Sequence, residues 1–324
     1  MAFAIIFISA GGAIADTPVA IAIHGGAGTI ERSDLSDARE KAIHGTLARA
    51  LRAGHDRLKA GDSALDAVEA AIVVLEDSEH FNAGHGAVFT SNGVNELDAA
   101  IMDGRTRNAG AITGVKHIRN PILLARRVMN ESEHVMLTGA GAEEFALTQG
   151  FSLVPTDYFF TERRWLELQN AREAEKTSGV DVPASFRYGT VGAVALDKNG
   201  NLAAGTSTGG LTNKRFGRIG DVPVIGAGTY AENETCAVSA TGHGEFFIRA
   251  VVGHDIAAMM RYGGATVDAA ATEVVTRKLV EFGGSGGVIA MDRTGEIAMV
   301  HNTSGMYRGS IDTDGELTTA IYPD

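Results

Sequence analysis

The chain carries 41 glycines in 324 residues, and they gather in runs. The densest are His24-Gly25-Gly26-Ala27-Gly28, Gly84-His85-Gly86, Gly209-Gly210 and Gly283-Gly284-Ser285-Gly286-Gly287. Collagen needs glycine at every third residue, and no such period exists here. Each run therefore marks a tight turn or a place where backbone must come close to another group. Apolar residues make up 44% and charged residues 21%, enough to build a core and too apolar for wholesale disorder. The length allows one large domain or two ordinary ones.

The formal net charge is −12, which argues against a nucleic-acid partner. A single cysteine, Cys236, excludes an intrachain disulfide and any multi-cysteine metal site. The histidines show no metal-ligand spacing. Residues 2–15 are almost wholly apolar, uncharged, and too short to span a bilayer as a helix. Ala13-Ile14-Ala15 has the small-x-small look of a leader cleavage site, although no Lys or Arg precedes the apolar run. This reading makes residues 1–15 a signal peptide and favours a periplasmic or secreted protein over a cytoplasmic one. The alternative is a buried strand or a misassigned start. No other segment reaches transmembrane length.

Residues 19–24 read as a buried strand running into the first glycine run. Residues 34–58 have helical apolar spacing, and Asp62 or Ser63 caps a second helix through Leu75. Residues 81–86 form a glycine-bearing loop, and residues 87–103 read as strands and turns. Pro121 opens a helix to about Met129. A short strand follows at residues 135–138, and a helix at 142–149 ends at Gly150. Residues 157–187 are rich in charge and form the best linker candidate, with a helix possible inside it. Two similar hairpins come next. Asp197-Lys198-Asn199-Gly200 joins residues 191–196 to 201–206, and Asp292-Arg293-Thr294-Gly295 joins 288–291 to 296–301. They read as parts of one sheet region. Helical stretches at 246–262 and 267–282 lie between them. The order implies a layered sheet core covered by helices.

Two motifs are decoys. Gly283-Gly284-Ser285-Gly286-Gly287 fits the nucleophile elbow G-x-S-x-G, but a helix precedes it and a strand follows, the reverse of that motif's context. Gly26-Ala27-Gly28 lacks the third glycine of a dinucleotide fingerprint, because position 31 is Glu. The chemistry-bearing signal is Tyr188-Gly189-Thr190-Val191-Gly192 at the head of a strand. An intact Thr190 is a weak nucleophile. Cleavage of the Gly189–Thr190 bond would free an α-amine titrating at roughly 7.7–8.0, able to act as base for its own hydroxyl. Thr206-Ser207-Thr208-Gly209-Gly210 offers three hydroxyls, and Thr241-Gly242-His243-Gly244 offers hydroxyl and N–H donors for an oxyanion. Arg218 and Asp221 could hold the carboxylate and ammonium of an α-amino acid, or could simply pair with each other across a turn.

From about Val19 to Tyr307 the chain resembles the plant-type asparaginase / isoaspartyl peptidase branch of the N-terminal-nucleophile hydrolases. The resemblance is carried by His24-Gly25-Gly26-Ala27-Gly28, Phe81-Asn82-Ala83-Gly84-His85-Gly86 and Glu96-Leu97-Asp98-Ala99. It continues through residues 189–195 and 206–210, Gly217-Arg218-Ile219-Gly220-Asp221, Thr241-Gly242-His243-Gly244-Glu245 and residues 283–287. It implies an α+β fold, a four-layer αββα sandwich, and autocleavage into an α subunit (16–189) and a β subunit (190–324). It implies a homodimer of such αβ units. Thr190 would be the nucleophile of both processing and turnover, with Thr208 beside it and Asn82 nearby. Thr241 and Gly242 would line the oxyanion hole. Arg218 would grip the substrate α-carboxylate, and Asp221 with Gly244 the α-amine. Many such proteins hold a structural sodium ion through backbone carbonyls, here at the positions of Leu75, Glu76, Ser78, Phe81, Ala83 and His85. No cofactor is implied for catalysis. The substrates implied are L-asparagine and β-aspartyl dipeptides.

Two rivals remain. Aspartylglucosaminidases usually have Asp before the nucleophile and often carry disulfides, whereas this chain has Gly189 and one cysteine. A non-enzymatic amino-acid-binding protein would use the same glycine loops and zwitterion pair without ever being cut.

Overall fold

In the computed structural model, which describes residues 18–178 and 189–323, the first glycine run is the second half of a strand. This strand, β1 (Ala20–Gly28), is buried along its whole length. Its two faces have different partners because successive side chains alternate. Ile21 and Ile23 pack in one core with the helices of residues 37–76, and Ala20 and Ala22 pack in a second core against another sheet.

The other strands are β2 (Leu97–Asp103), β3 (Ala109–Val115), β4 (Met136–Thr138), β5 (Val191–Leu196), β6 (Leu202–Thr208), β7 (Thr229–Ala231), β8 (Cys236–Gly242), β9 (Gly286–Asp292), β10 (Ile297–His301), β11 (Gly305–Ile311) and β12 (Leu317–Ala320). One sheet has the order β12-β11-β1-β5-β6-β2-β3-β4, and the other β10-β9-β8-β7. Helices α1 (Asp37–Ala60), α2 (Ala64–Glu76) and α3 (Pro121–Glu131) cover the outer face of the larger sheet. Two further helices follow, α4 (Gly139–Thr148) and α5 (Glu162–Ser178). Beyond β8 come α6 (Gly244–Ala250), α7 (Val252–Gly263) and α8 (Val267–Thr272), the last continued by a π-helical turn (Glu273–Lys278) and one more turn (Leu279–Glu281). The α7 and α8 side chains pack on the smaller sheet. The result is the four-layer αββα sandwich. Small side chains such as Ala22, Ala204 and Ala237 fill the space between the sheets.

The predicted elements form, with instructive differences. The two similar hairpins lie in facing sheets, not one: β5–β6 in the larger and β9–β10 in the smaller. Their likeness is turn chemistry. Asp197 Oδ1 accepts from Asn199 N and Asn201 N, and Asp292 Oδ1 accepts from Thr294 N and Glu296 N. Gly200 and Gly295 then turn at φ 73° and 85°. Asp312 repeats this turn between β11 and β12, with Gly315 at φ 82°. The helix predicted over 246–262 breaks at Val251, which takes φ 50°, because the first N–H groups of α7 dock on the carbonyls of Ala227 and Gly226. Much of the charged stretch at 157–187 is the ordered helix α5, held by Arg163 and Arg164 on Glu167 and by Arg172 on Ser91 O. Residues 179–187 of that stretch and the leader at 1–15 lie outside the described residues. Among the described residues no helix is long and apolar enough to cross a membrane.

Helix α2 packs on both β5 and β6, the two strands that flank Thr190 and Thr208. Ser63 caps it: its N–H and hydroxyl donate to Asp66 Oδ2 at 3.1 and 2.6 Å, and its Oγ accepts from Asp66 N at 3.3 Å. Replacing Ser63 by Ala removes one side of this capping box and should cost about 1 kcal/mol in urea unfolding. An unchanged midpoint would show that the cap does not hold α2.

Candidate active site

Thr190 precedes β5, and antiparallel pairing of Val191 with Ser207 sets it beside Thr208 at the end of β6. The Thr190 hydroxyl donates to Gly189 O at 2.6 Å and lies 3.2 Å from Thr208 Oγ1. Thr208 Oγ1 is also 3.2 Å from Gly189 O and accepts from Gly210 N at 3.0 Å. Asn82, on the loop after α2, donates through Nδ2 to Gly189 O at 2.9 Å and to Gly210 O at 2.7 Å. Its own Oδ1 accepts from Val88 N at 3.0 Å, which fixes the amide orientation. The carbonyl of the Gly189–Thr190 bond thus faces one amide donor and two hydroxyls. Gly26 lies on the other side of that bond at φ 116°, and a Cβ there would sit 2.9 Å from Gly189 Cα. The glycine run in β1 is required by this close approach.

A second group has no counterpart among the residues expected from the sequence. His24, fully buried on β1, contacts Thr190 O through Nδ1 at 3.0 Å and Ser239 Oγ through Nε2 at 2.8 Å. Burial pushes its pKa down to about 3, against the raising effect of the Thr190 contact, so the ring is neutral. The carbonyl can only accept, so Nδ1 carries the hydrogen and Nε2 accepts from Ser239. Thr206 Oγ1 continues the chain to Ser239 at 2.7 Å, and Thr229 donates to Thr206 at 2.7 Å. Gly192 makes room, since any Cβ there would run into Ser239 Oγ and His24 Nε2. A lone His within a strand carries no signal of this role; only the folded pairing of β1 with β5 reveals it.

Thr190, Thr208, Gly242, Arg218, Asp221 and Gly189 share the wall of one small pocket, whose volume of about 10 Å³ is hardly enough for one water. Gly244, at the start of α6, is close enough to Arg218 and Asp221 that a Cβ would lie 2.8 Å from Arg218 Nη2 and Asp221 Oδ1. Thr241 is fully buried next to Gly242, and its Oγ1 accepts from Ala27 N at 3.2 Å.

Arg218 and Asp221 do not form the turn pair that is the plainer reading of the sequence. Arg218 forks onto Glu245, Nε to Oε1 and Nη2 to Oε2, both at 2.9 Å. Glu245 is half-exposed, and the Arg218 pairing outweighs its own burial, holding its carboxyl below the usual range. Asp221 is left buried, with Oδ2 lacking a hydrogen-bond partner. Burial pushes its pKa up to about 7, opposed by a backbone hydrogen bond and by Arg218. A buried carboxylate with an orphan oxygen is a ready acceptor for an ammonium group.

In the loop from Leu75 to His85, backbone carbonyls crowd the Gly84–Gly86 turn. A Cβ on Gly84 would strike Glu76 O, and one on Gly86 would strike Phe81 O and lie 2.8 Å from Ser78 O. Leu75 O accepts from Ser78 N, and Ala83 O accepts from Gly86 N. The Glu76 carboxyl is turned away, accepting from Ile122 N and Ser207 Oγ. The His85 ring is engaged with Tyr158 O at 2.8 Å.

Comparison with known proteins agrees with this geometry. A family model described as asparaginase matches residues 17–321. The isoaspartyl peptidase of Salmonella typhimurium is 50% identical over 306 residues, covering 93% of this chain and 98% of that protein. The isoaspartyl peptidase of Escherichia coli K12 is likewise 50% identical, covering 93% and 95%. A human protein named isoaspartyl peptidase/L-asparaginase is 40% identical over 311 residues, covering 95% and 97%. With the αββα sandwich, the threonine at the head of β5 and a family match over nearly its whole length, the chain belongs to the asparaginase family.

Proposed function

We propose that this chain is an autoprocessing threonine amidohydrolase that cleaves β-aspartyl dipeptides and L-asparagine and releases L-aspartate. The observation that carries the reading is the Gly189–Thr190 bond itself. Its carbonyl oxygen receives Asn82 Nδ2 at 2.9 Å while the Thr190 hydroxyl stands against the same group. Names of relatives 40–50% identical over nearly the full chain supply the substrate class.

Processing begins when Thr190 Oγ attacks the Gly189 carbonyl carbon. Negative charge then develops on the oxygen that Asn82 already holds. The C–N bond breaks, its nitrogen takes up the proton given up by the Thr190 hydroxyl and becomes the Thr190 α-amine, and the acyl group passes to Oγ as an ester. Water hydrolyses the ester, leaving Gly189 as a carboxylate. The fragments are an α subunit ending at Gly189 and a β subunit beginning at Thr190, and two such αβ units form the assembly. In turnover the free α-amine takes the Thr190 hydroxyl proton as Oγ attacks the substrate side-chain carbonyl. Thr241 and Gly242 stabilise the oxyanion, Thr208 orients the nucleophile, Arg218 takes the α-carboxylate, and Asp221 with Gly244 the α-amine. Substrate carboxylate must displace Glu245 from Arg218, exchanging one forked ion pair for another. The same proposal takes residues 1–15 as an export leader.

The loop at Leu75, Glu76, Ser78, Phe81, Ala83 and His85 is proposed as the seat of a structural sodium ion, held by backbone carbonyls. The glycines that let those carbonyls crowd the Gly84–Gly86 turn support it. The ion would brace the segment carrying Asn82 and takes no part in the chemistry.

Three outcomes test this reading. Thr190→Ala should stay a single chain and lose at least about 10³-fold in turnover. Processing at residue 189 in that variant would refute the nucleophile. Binding of L-aspartate to processed protein, followed by calorimetry, should tighten by about tenfold per pH unit as pH rises toward 7 and then level off, because Asp221 must ionise to hold an ammonium. Asp221→Asn should abolish that slope, and a slope that survives the substitution would remove Asp221 from the site. The melting temperature should be higher in sodium chloride than in choline chloride at equal ionic strength, and equal values would remove the ion.

A further inference from the structure

Gly189 is a wall between two cavities. On one side is the small pocket with Arg218 and Asp221. On the other is a much larger one of about 390 Å³, bounded by Gly189, Asn82, residues 25–30 and side chains from α1 and α5. Among the described residues its walls carry three guanidinium groups, Arg39, Arg163 and Arg164, and a single carboxylate, Glu167. That carboxylate is already spent, since it accepts from Arg163 at 2.9 Å and from Arg164 at 2.8 Å. Arg163 and Arg164 are also tied to the backbone, on Glu79 O and Gly86 O. Arg39, in the first turn of α1, has no ion pair among the described residues. Burial, and after it the neighbouring Arg164 and Arg39, push the Arg163 pKa down to about 10, against the raising effect of Glu167. This concentration occurs in a chain of net charge −12.

We propose that this basic cavity is the leaving-group subsite, and that Arg39 binds the α-carboxylate of the amino acid that departs when a β-aspartyl dipeptide is cleaved. The inference rests on the proposed hydrolase activity and deepens it. Cleavage turns Gly189 from a fixed wall into a chain end, and its withdrawal joins the two cavities. The aspartyl half then lies against Arg218 and Asp221. The bond from the side-chain carbonyl to nitrogen breaks, the nitrogen takes the proton gained by the Thr190 amine, and the released amino acid leaves through the larger cavity. Asparagine releases ammonia, which makes no use of the guanidinium groups. The cavity therefore sets the preference for peptides over asparagine, and its size accommodates bulky leaving residues.

The test compares three substrates on fully processed protein: β-aspartyl-leucine, the same dipeptide with its carboxyl end amidated, and L-asparagine. The wild type should favour the free acid over the amide by about tenfold or more in kcat/KM, mainly through KM, the worth of one charge-assisted hydrogen bond. Arg39→Gln should erase that preference and lower the dipeptide-to-asparagine ratio by a similar factor, while Arg39→Lys should retain most of it. A wild type indifferent to amidation overturns the inference without any variant. An Arg39→Gln protein in which dipeptide and asparagine fall together also overturns it, and points to Arg39 seating the cut end of the α subunit instead. Processed wild type that hydrolyses none of the three refutes the hydrolase reading itself.

Discussion

One carboxamide governs this structure. Asn82 Nδ2 divides its hydrogens between Gly189 O and Gly210 O, and its Oδ1 is fixed by Val88 N. It therefore locks three segments together: the loop after α2, the glycine turn after β6 and the peptide that precedes Thr190. Without it, Gly189 O would be a half-buried carbonyl facing only hydroxyls. With it, the same oxygen is held by a donor aimed where negative charge would form during cleavage. Gly26 closes the other side at a distance no side chain would permit.

The sandwich exists around this arrangement. Antiparallel pairing of β5 with β1 on one side and β6 on the other fixes Thr190 between His24 and Thr208. The smaller sheet supplies Ser239, Thr241 and Gly242 from a single strand, β8. Alanine and glycine between the sheets keep the layers close enough for side chains of one to bond to backbone of the other, as Thr241 does with Ala27 N. The polar chain from His24 through Ser239 and Thr206 to Thr229 is buried but satisfied, so it specifies position without leaving an orphan group. Asp221 Oδ2, by contrast, is one of several buried polar atoms without a partner among the described residues, and it lies in the wall where a ligand amine is proposed to bind.

Much of this was legible in the residues, and what was not has physical causes. Ser63 and Pro121 marked helix starts because capping chemistry is local. Asp197-Lys198-Asn199-Gly200 and Asp292-Arg293-Thr294-Gly295 marked turns for the same reason. Which sheet each hairpin joins is a long-range matter, and the similarity of the turns hid it. Strands such as β8, with Cys236-Ala237-Val238-Ser239-Ala240-Thr241, are buried on both faces and so show no alternation to read. The clustering of Thr190, Thr208, Gly242, Arg218 and Asp221 around one pocket followed from motif resemblance. The Glu245 clasp on Arg218 did not, because a carboxylate 27 residues away along the chain has no local signature. The charge of residues 157–187 read as a linker, yet α5 uses it to hold the loop around Asn82 and to wall the basic cavity.

The central claim is that the Gly189–Thr190 bond breaks by its own chemistry and that Thr190 becomes a chain start. The most direct measurement is intact mass and denaturing electrophoresis of freshly purified and aged protein. The account predicts two fragments of about 20 and about 14 kDa in proportion to their residues, the smaller beginning at Thr190 and the larger lighter if the leader is lost. A single chain that stays whole for days would contradict the account, and so would a smaller fragment beginning at any other residue.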